Sequence, residues 1–161
     1  MYPLSAYERL TDMVAEGRYE NIFLCQHHRS IVRPIATGCL GMDVCIFINE
    51  LSFSTDAERR LAFEHELAHI EYAGFYNIHT PKDEVLRIEY HAHKKTVEKL
   101  VCFDDYSDAL MSGCFDIDEQ AAKWNIPEHY VPKVHEVYER TRWEEVQELR
   151  AKLYEKFVFV P

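Results

Sequence analysis

The chain has 161 residues, of which 47% are hydrophobic and 29% charged, a composition typical of one globular domain with a core of its own. Its formal net charge of -10 argues against a protein whose whole surface binds nucleic acid. No apolar run approaches the roughly 20 residues of a membrane span, and the N-terminus lacks the basic and apolar regions of a signal peptide. We therefore expect a cytoplasmic protein without a membrane partner, in which the five cysteines are reduced thiols.

The first third of the chain is predicted to contain one helix and three short strands. Residues 4–16 carry apolar side chains at helical spacing. The strand-forming runs are residues 21–25, 31–36 and 44–49. The paired His27 and His28 are interpreted as solvated loop residues, because adjacent side chains rarely converge on one ion. These strands predict a small sheet.

The next helix, predicted over residues 56–72, contains the pattern His-Glu-x-x-His. Residues four apart share one face of a helix, so His65 and His69 can bind the same ion. Glu66 follows the first of these histidines and can reach a water molecule held on that ion. Two nitrogen ligands and a carboxylate base are the arrangement that a zinc hydrolase requires.

The ends and the buried face of this helix are also predicted. Ser54 or Thr55 is the expected N-cap, and Gly74 is expected to end the helix. The stripe expected to face the core consists of Leu61, Ala62, His65, Ala68, His69 and Tyr72. The two histidines are therefore expected at the edge of the core.

A second long helix is predicted over residues 82–102. A catalytic zinc ion usually has three protein ligands and a water molecule, and Glu89 is the predicted third ligand, with Glu84 and Glu98 as alternatives. His93 shares a face with Glu89. It is predicted to hydrogen-bond a liganding imidazole and orient it, or to be a ligand itself.

The remainder of the chain is predicted to be helical. The helices are expected over residues 106–111, 116–124 and 127–154. Residues 116–131 have the outline of a helix-turn-helix, with Ala121 and Ile126 as its packing residues. The second helix of such a motif would present Glu128 to DNA, which repels phosphate and argues against direct DNA binding. A structural helical hairpin is the prediction.

These patterns resemble the ImmA/IrrE metallopeptidases, in particular the short members encoded by phages and mobile elements. The segments that carry the resemblance are residues 44–49, 54–60, 65–69, 89–94 and 115–130. The resemblance implies zinc held by His65, His69 and Glu89, with Glu66 as general base. It also implies a fold like the thermolysin core. The family usually has aspartate where this chain has His93, which changes the charge beside the ligands.

The predicted fold class is α+β, a mostly helical single domain with a small three-stranded sheet packed on the His-Glu-x-x-His helix. Within this single metallopeptidase-like domain, residues 1–103 would form a minimal zincin-like core. Residues 104–161 would form a C-terminal helical extension built as a hairpin.

The predicted activity is zinc-dependent hydrolysis of a peptide bond in a protein substrate. Four residues near the ligands in sequence are possible oxyanion donors: Tyr72, Tyr76, Tyr90 and His91. By resemblance, the substrate is a helix-turn-helix transcriptional repressor of a phage or mobile element. The alternatives are a metal-binding module that binds a partner protein without cleaving it, and a DNA-associated regulator that uses residues 116–140.

Overall fold

The computed structural model describes residues 12, 22–26, 35–40, 43–48, 52–77 and 79–158, and among the strand residues only the side chain of Ile46. Asp12, inside the predicted first helix, is helical. The rest of that helix, His27, His28 and residues 159–161 lie outside the described residues. The side-chain contacts below therefore come from residues 52–77 and 79–158.

The chain divides into two compact units, Met1–Ala92 and His93–Pro161. In the first unit, the backbone forms three strands. They are β1 (Ile22–Gln26), β2 (Ile35–Leu40) and β3 (Asp43–Ile48). Their order is β1-β3-β2, with β3 parallel to β1 and antiparallel to β2. The first unit ends at Ala92, inside the second long helix. The predicted zincin-like core ended eleven residues later, at residue 103.

The α+β prediction is wrong for the part of the chain in which side chains are described. There, 79% of the residues are helical, and none of residues 52–77 and 79–158 belongs to a strand. Apart from Ile46, the buried apolar side chains described come from helices and the short links between them. The reason is that apolar residues recur every three or four positions, so helices bury their faces against other helices. A three-stranded sheet packed on the His-Glu-x-x-His helix is therefore not the basis of this core.

Helix α1 (Asp56–Ala68) begins at Thr55, which confirms one of the two predicted N-caps. The Thr55 hydroxyl accepts a hydrogen bond from the Glu58 amide at 3.1 Å. Glu58 Oε2 in turn accepts from the amides of Thr55 at 3.1 Å and Ser54 at 2.7 Å. This reciprocal capping box satisfies amides that the first turn leaves without helical partners.

The face of α1 that is buried differs from the predicted stripe. The buried residues of α1 are Phe63, Glu64, Leu67 and Ala68. Leu61 and Ala62 are only half-buried, and Tyr72 is 57% exposed. The predicted stripe is confirmed at Ala68 and His69, which are buried, and it is wrong elsewhere because Phe63 and Leu67, which it left out, are the large apolar side chains that α1 buries. His65 consequently lies half-buried at the margin of the core.

Helix α2 (Lys82–Leu100) follows the loop after α1 and crosses the boundary between the two units. Of its buried residues, Ile88 and Ala92 belong to the first unit, and Thr96 and Val97 belong to the second. Ile88, Ala92 and Thr96 are spaced four apart, so these three follow one side of the helix. None of the helices in the described ranges has the length and apolar character needed to span a bilayer.

The second unit contains four more α-helices rather than a hairpin. They are α3 (Phe103–Met111), α4 (Ile117–Trp124), α5 (Val131–Thr141) and α6 (Trp143–Phe157), with a 3₁₀ turn (Glu128–Tyr130) before α5. The predicted single helix over 127–154 is wrong, because the backbone leaves helical geometry at Arg142 (φ -135°, ψ 47°). The break allows Tyr138 of α5 and Leu149 of α6 both to be buried within this unit.

A hydrogen-bonded chain of side chains joins α3, α4 and α5. Gln120 Nε2 donates to the Cys114 carbonyl at 2.9 Å, so Gln120 Oε1 accepts from His135 Nε2 at 2.9 Å. His135 Nδ1 is then an acceptor for the Tyr106 hydroxyl at 3.1 Å. This network is complete only when His135 is neutral, because a second proton on Nδ1 would leave Tyr106 without its acceptor.

We expect the second unit to lose stability as the pH falls below about 6.5, the ordinary pKa of histidine. Burial lowers the pKa of His135, with a smaller contribution from Arg150, although Glu139 opposes the shift. Between that lowered pKa and about 6.5, the unfolded chain binds a proton that the folded chain does not. The free energy of unfolding therefore decreases, as the pH falls through this range, by at most about 1.4 kcal/mol per pH unit. Urea unfolding followed by tryptophan fluorescence at a series of pH values measures this slope.

The matched controls for this expectation are two histidine substitutions in the same unit. His135→Gln should remove its part of the pH dependence, whereas His129→Gln, at an exposed position, should leave the slope unchanged. An identical slope in wild type and His135→Gln would contradict the assignment.

Candidate metal centre

Three of the predicted ligands are brought together in the first unit. His65 lies in α1, His69 begins a π-helical turn (His69–Ala73) that continues α1, and Glu89 lies in α2. Their ligand atoms all lie within 4.8 Å of one another. The two Nε2 atoms are 3.2 Å apart, Glu89 Oε2 is 3.3 Å from His65 Nε2, and Glu89 Oε1 is 3.4 Å from His69 Nε2.

These separations can be compared with the geometry of a tetrahedral zinc ion. Zinc–nitrogen and zinc–oxygen bonds of roughly 2.0–2.1 Å at tetrahedral angles place neighbouring ligand atoms about 3.3 Å apart. The 3.2 Å between the two Nε2 atoms agrees with that value, and each Nε2 atom has a different oxygen of Glu89 at a similar distance, 3.3 Å for His65 and 3.4 Å for His69. Two imidazoles and one carboxylate are also a ligand set that zinc accepts. The residues present therefore fit the metal that the family resemblance implies.

The orientation of His69 is set by the turn that follows it. The Gly74 amide donates to the His69 carbonyl at 2.9 Å, a bond between residues five apart that defines the π-helical turn. The Gly74 carbonyl in turn accepts from His69 Nδ1 at 3.1 Å. With its proton on Nδ1, a neutral His69 presents the lone pair of Nε2 towards His65 and Glu89.

Glu89 is ionised in this arrangement. The neighbouring imidazoles of His65 and His69 and the Tyr76 hydroxyl hold the pKa of Glu89 far below its usual range, although burial opposes them. The Tyr76 hydroxyl donates to Glu89 Oε1 at 2.6 Å. The carboxylate therefore supplies one full negative charge to the group.

The charge of Glu89 also acts on His69. Burial lowers the pKa of His69, but hydrogen bonds to Glu89 and the Gly74 carbonyl, together with the charges of Glu89 and Glu66, outweigh it and leave the pKa raised. A proton on His69 and a metal ion would therefore compete for the same position beside the Glu89 carboxylate.

The predicted general base and oxyanion donors lie in the same unit. Glu66 is half-buried on α1, and its charge reaches His69. Tyr76 contacts two predicted ligands, since its ring centroid is also 6.1 Å from that of His69. Tyr72 is 57% exposed on the π-helical turn. Tyr90 and His91 have their ring centroids 5.8 Å apart on α2, Tyr90 half-buried and His91 exposed.

The alternative ligands and His93 have other contacts. Glu84 Oε1 is 3.8 Å from Arg87, and Glu98 Oε2 is 2.8 Å from Lys95, so both carboxylates form ion pairs on the surface of α2. Within the second unit, His93 Nδ1 is 3.2 Å from the Tyr130 hydroxyl. Whether His93 also orients a liganding imidazole stays a prediction.

The Gly74 carbonyl is the functional group that the sequence-based prediction missed. Gly74 was expected only to end the helix, whereas its carbonyl holds the Nδ1 proton of His69. The available signal was a glycine five residues after the second histidine, which permits a π-helical turn. No local pattern distinguishes that turn from an ordinary helix end.

Comparisons of this chain with known protein families, with curated proteins and with solved structures found no match.

We expect Gly74→Ala to reduce both stability and metal affinity. Gly74 has φ 80° and ψ 178°, a backbone conformation that residues other than glycine rarely adopt. The substitution should therefore lower the free energy of unfolding by about 1–3 kcal/mol. Relief of this strain would move the carbonyl away from His69. Thermal unfolding and calorimetric zinc titration measure the two effects.

Gly113→Ala is the matched control in the second unit. Its φ of +87° gives a comparable backbone strain, and an added Cβ would lie 3.5 Å from the Phe157 ring, an ordinary contact. This variant should lose stability but keep the wild-type zinc affinity. Equal zinc affinities for both alanine variants would contradict the role assigned to the Gly74 carbonyl.

Proposed function

We propose that this protein is a zinc-dependent peptidase in which His65, His69 and Glu89 hold the metal and Glu66 is the general base. The observation that carries the proposal is that His65 Nε2 and His69 Nε2 lie 3.2 Å apart and that each faces one oxygen of the Glu89 carboxylate, at 3.3 Å and 3.4 Å. Histidines four residues apart are common on helices. A carboxylate from another helix that places one oxygen against each Nε2 atom is a far more specific arrangement.

The protein groups have distinct roles in this proposal. Glu89 offsets part of the positive charge of the ion, and the Gly74 carbonyl keeps the His69 lone pair directed at it. A bound zinc ion would polarise the scissile carbonyl and lower the pKa of the attacking water. Glu66 accepts the proton of that water and delivers it to the nitrogen of the leaving amine.

A protein substrate is supported by the family resemblance and by the surroundings of the ligands. The resemblance suggests a helix-turn-helix repressor of a phage or mobile element. Near the ligands, Tyr72 and Phe75 are 57% and 44% exposed, so apolar side chains of an extended peptide could contact them. The rival function is a metal-binding module that binds a protein partner without hydrolysis, and the substitutions below distinguish the two.

We expect the purified chain to bind one zinc ion, and Glu89→Gln to abolish or strongly weaken that binding. The amide keeps the size of the side chain but removes the negative charge that faces both imidazoles. Metal content after dialysis and isothermal titration with zinc measure the effect.

Glu84→Gln is the matched control on the same helix. Glu84 is 49% exposed and paired with Arg87, so its amide variant should bind zinc as the wild type does. If Glu84→Gln lost the metal and Glu89→Gln kept it, the ligand assignment would be wrong and Glu84 would replace Glu89.

We expect Glu66→Gln to lower the rate of peptide hydrolysis by at least about 100-fold, because loss of a general base typically costs that much. Zinc binding should be kept, since Glu66 is not a ligand in this proposal. Suitable substrates are an unfolded protein and any helix-turn-helix repressor encoded beside this gene, and fragments are identified by mass spectrometry.

Glu84→Gln again provides the control and should cleave at the wild-type rate. A wild-type chain that binds zinc and the repressor but cleaves neither substrate would favour the non-hydrolytic binding module. Unchanged hydrolysis by Glu66→Gln would show that the activity comes from another group.

A further inference from the structure

We propose that the second unit carries a self-complementary surface through which two copies of this chain form a symmetric dimer. The surface, called the α4–α6 patch below, consists of residues 115–119 at the beginning of α4 and residues 156–158 at the end of α6. The inference concerns the second unit alone. It depends neither on a metal ion nor on the proposed peptidase activity.

The apolar side chains of the α4–α6 patch are exposed to solvent. All four of them are at least 42% exposed: Phe115, Ile117, Phe157 and Val158. A single exposed apolar residue is ordinary on a protein surface, whereas several large ones gathered in one place are typical of a surface that binds protein.

Three contacts hold the end of α6 against the link between α3 and α4. The Phe115 and Phe157 rings meet edge-to-face, with their centroids 5.2 Å apart and an interplanar angle of 81°. Lys156 Nζ donates to the Met111 carbonyl at 2.6 Å. The Phe157 ring also lies 3.5 Å from the position that a Cβ atom on Gly113 would occupy. Residues far apart in sequence are therefore gathered in one surface.

Charges of both signs lie beside these apolar side chains. Lys156 Nζ is 5.2 Å from the centroid of the Phe157 ring. On the other side of the ring pair, Asp116 is the N-cap of α4, and Asp118 and Glu119 lie in its first turn. Within the described ranges, none of these four charged side chains forms an ion pair. Their charges are thus available to a second molecule.

A surface of this kind is complementary to itself. In a two-fold dimer both molecules use the same patch, so a residue on one side of the patch faces a residue from the other side of the second copy. The Lys156 ammonium of each copy then meets the α4 carboxylates of the other, and the phenylalanine rings are buried between them. A partner with only one sign of charge would be repelled by part of the patch.

The first test is the oligomeric state of the full chain, measured by sedimentation velocity from about 1 μM to about 1 mM, a range that covers weak and moderate association. We expect a dimer whose dissociation constant rises at least about 10-fold in Phe157→Ser, because a central aromatic side chain typically contributes that much or more. Circular dichroism checks the fold of each variant.

Trp143→Ser is the matched control. Trp143 is 58% exposed, but it begins α6, whereas Phe157 ends it. At the rise of an α-helix the two residues are about 21 Å apart along the axis, so Trp143 lies outside the patch. This variant should dimerise as the wild type does.

A charge exchange tests the self-complementarity directly. Lys156→Glu and the double variant Asp118→Lys/Glu119→Lys should each dimerise far more weakly than the wild type, because like charges then meet in both halves of the interface. An equimolar mixture of the two variants should restore a dimer, since opposite charges then meet in both halves. Native mass spectrometry at low salt, where exposed charges are screened least, identifies the mixed dimer by its mass.

Three results would overturn the inference. If the full chain stayed monomeric throughout the concentration series, a second copy would not be the partner of the patch, and a different protein would remain as the candidate. If Phe157→Ser dimerised as well as the wild type, the dimer would use another surface. If the two charge variants formed no mixed dimer, the patch would not be self-complementary.

The outcome is independent of the metal centre. A wild-type dimer that is weakened in Phe157→Ser and restored by mixing the charge variants would support this proposal even if the chain bound no zinc. In that case only the proposed peptidase function would fail.

Discussion

The Glu89 carboxylate connects every part of the proposed metal centre. Its two oxygens face one imidazole nitrogen each, and one of them also accepts the Tyr76 hydroxyl. The same negative charge raises the pKa of His69 and would stabilise a divalent cation, so a proton and a metal compete for one place. Both the affinity of the centre and its dependence on pH therefore depend on how this one carboxylate is held.

The π-helical turn after α1 determines how the ligands are oriented. A regular α-helix would direct the carbonyl of residue 74 along the axis, whereas the wider turn and the positive φ of Gly74 return it to His69 Nδ1. The loop that begins there carries Tyr76 to Glu89. One irregularity in the backbone thus orients a ligand from each of two helices, which explains why a small stretch of chain can build a defined centre.

Features that depend on residues close in sequence were predictable. The capping box of Thr55 and Glu58 and the shared face of His65 and His69 involve neighbours three or four apart, and helical geometry alone relates them. The fold class and the break at Arg142 were not predictable in this way. Arg142 is neither glycine nor proline, and its guanidinium lies 5.0 Å from the Phe103 ring, a contact between residues far apart in sequence.

By itself, the sequence determined which side chains can act as metal ligands and which histidines share a helix face, because residue type and helical periodicity are local properties. Only the tertiary structure decided which carboxylate joins them. Glu84, Glu89 and Glu98 are chemically equivalent and lie on the same helix. Glu89 meets the histidines because of the height and rotation of α2 beside α1 within the first unit, and packing sets both.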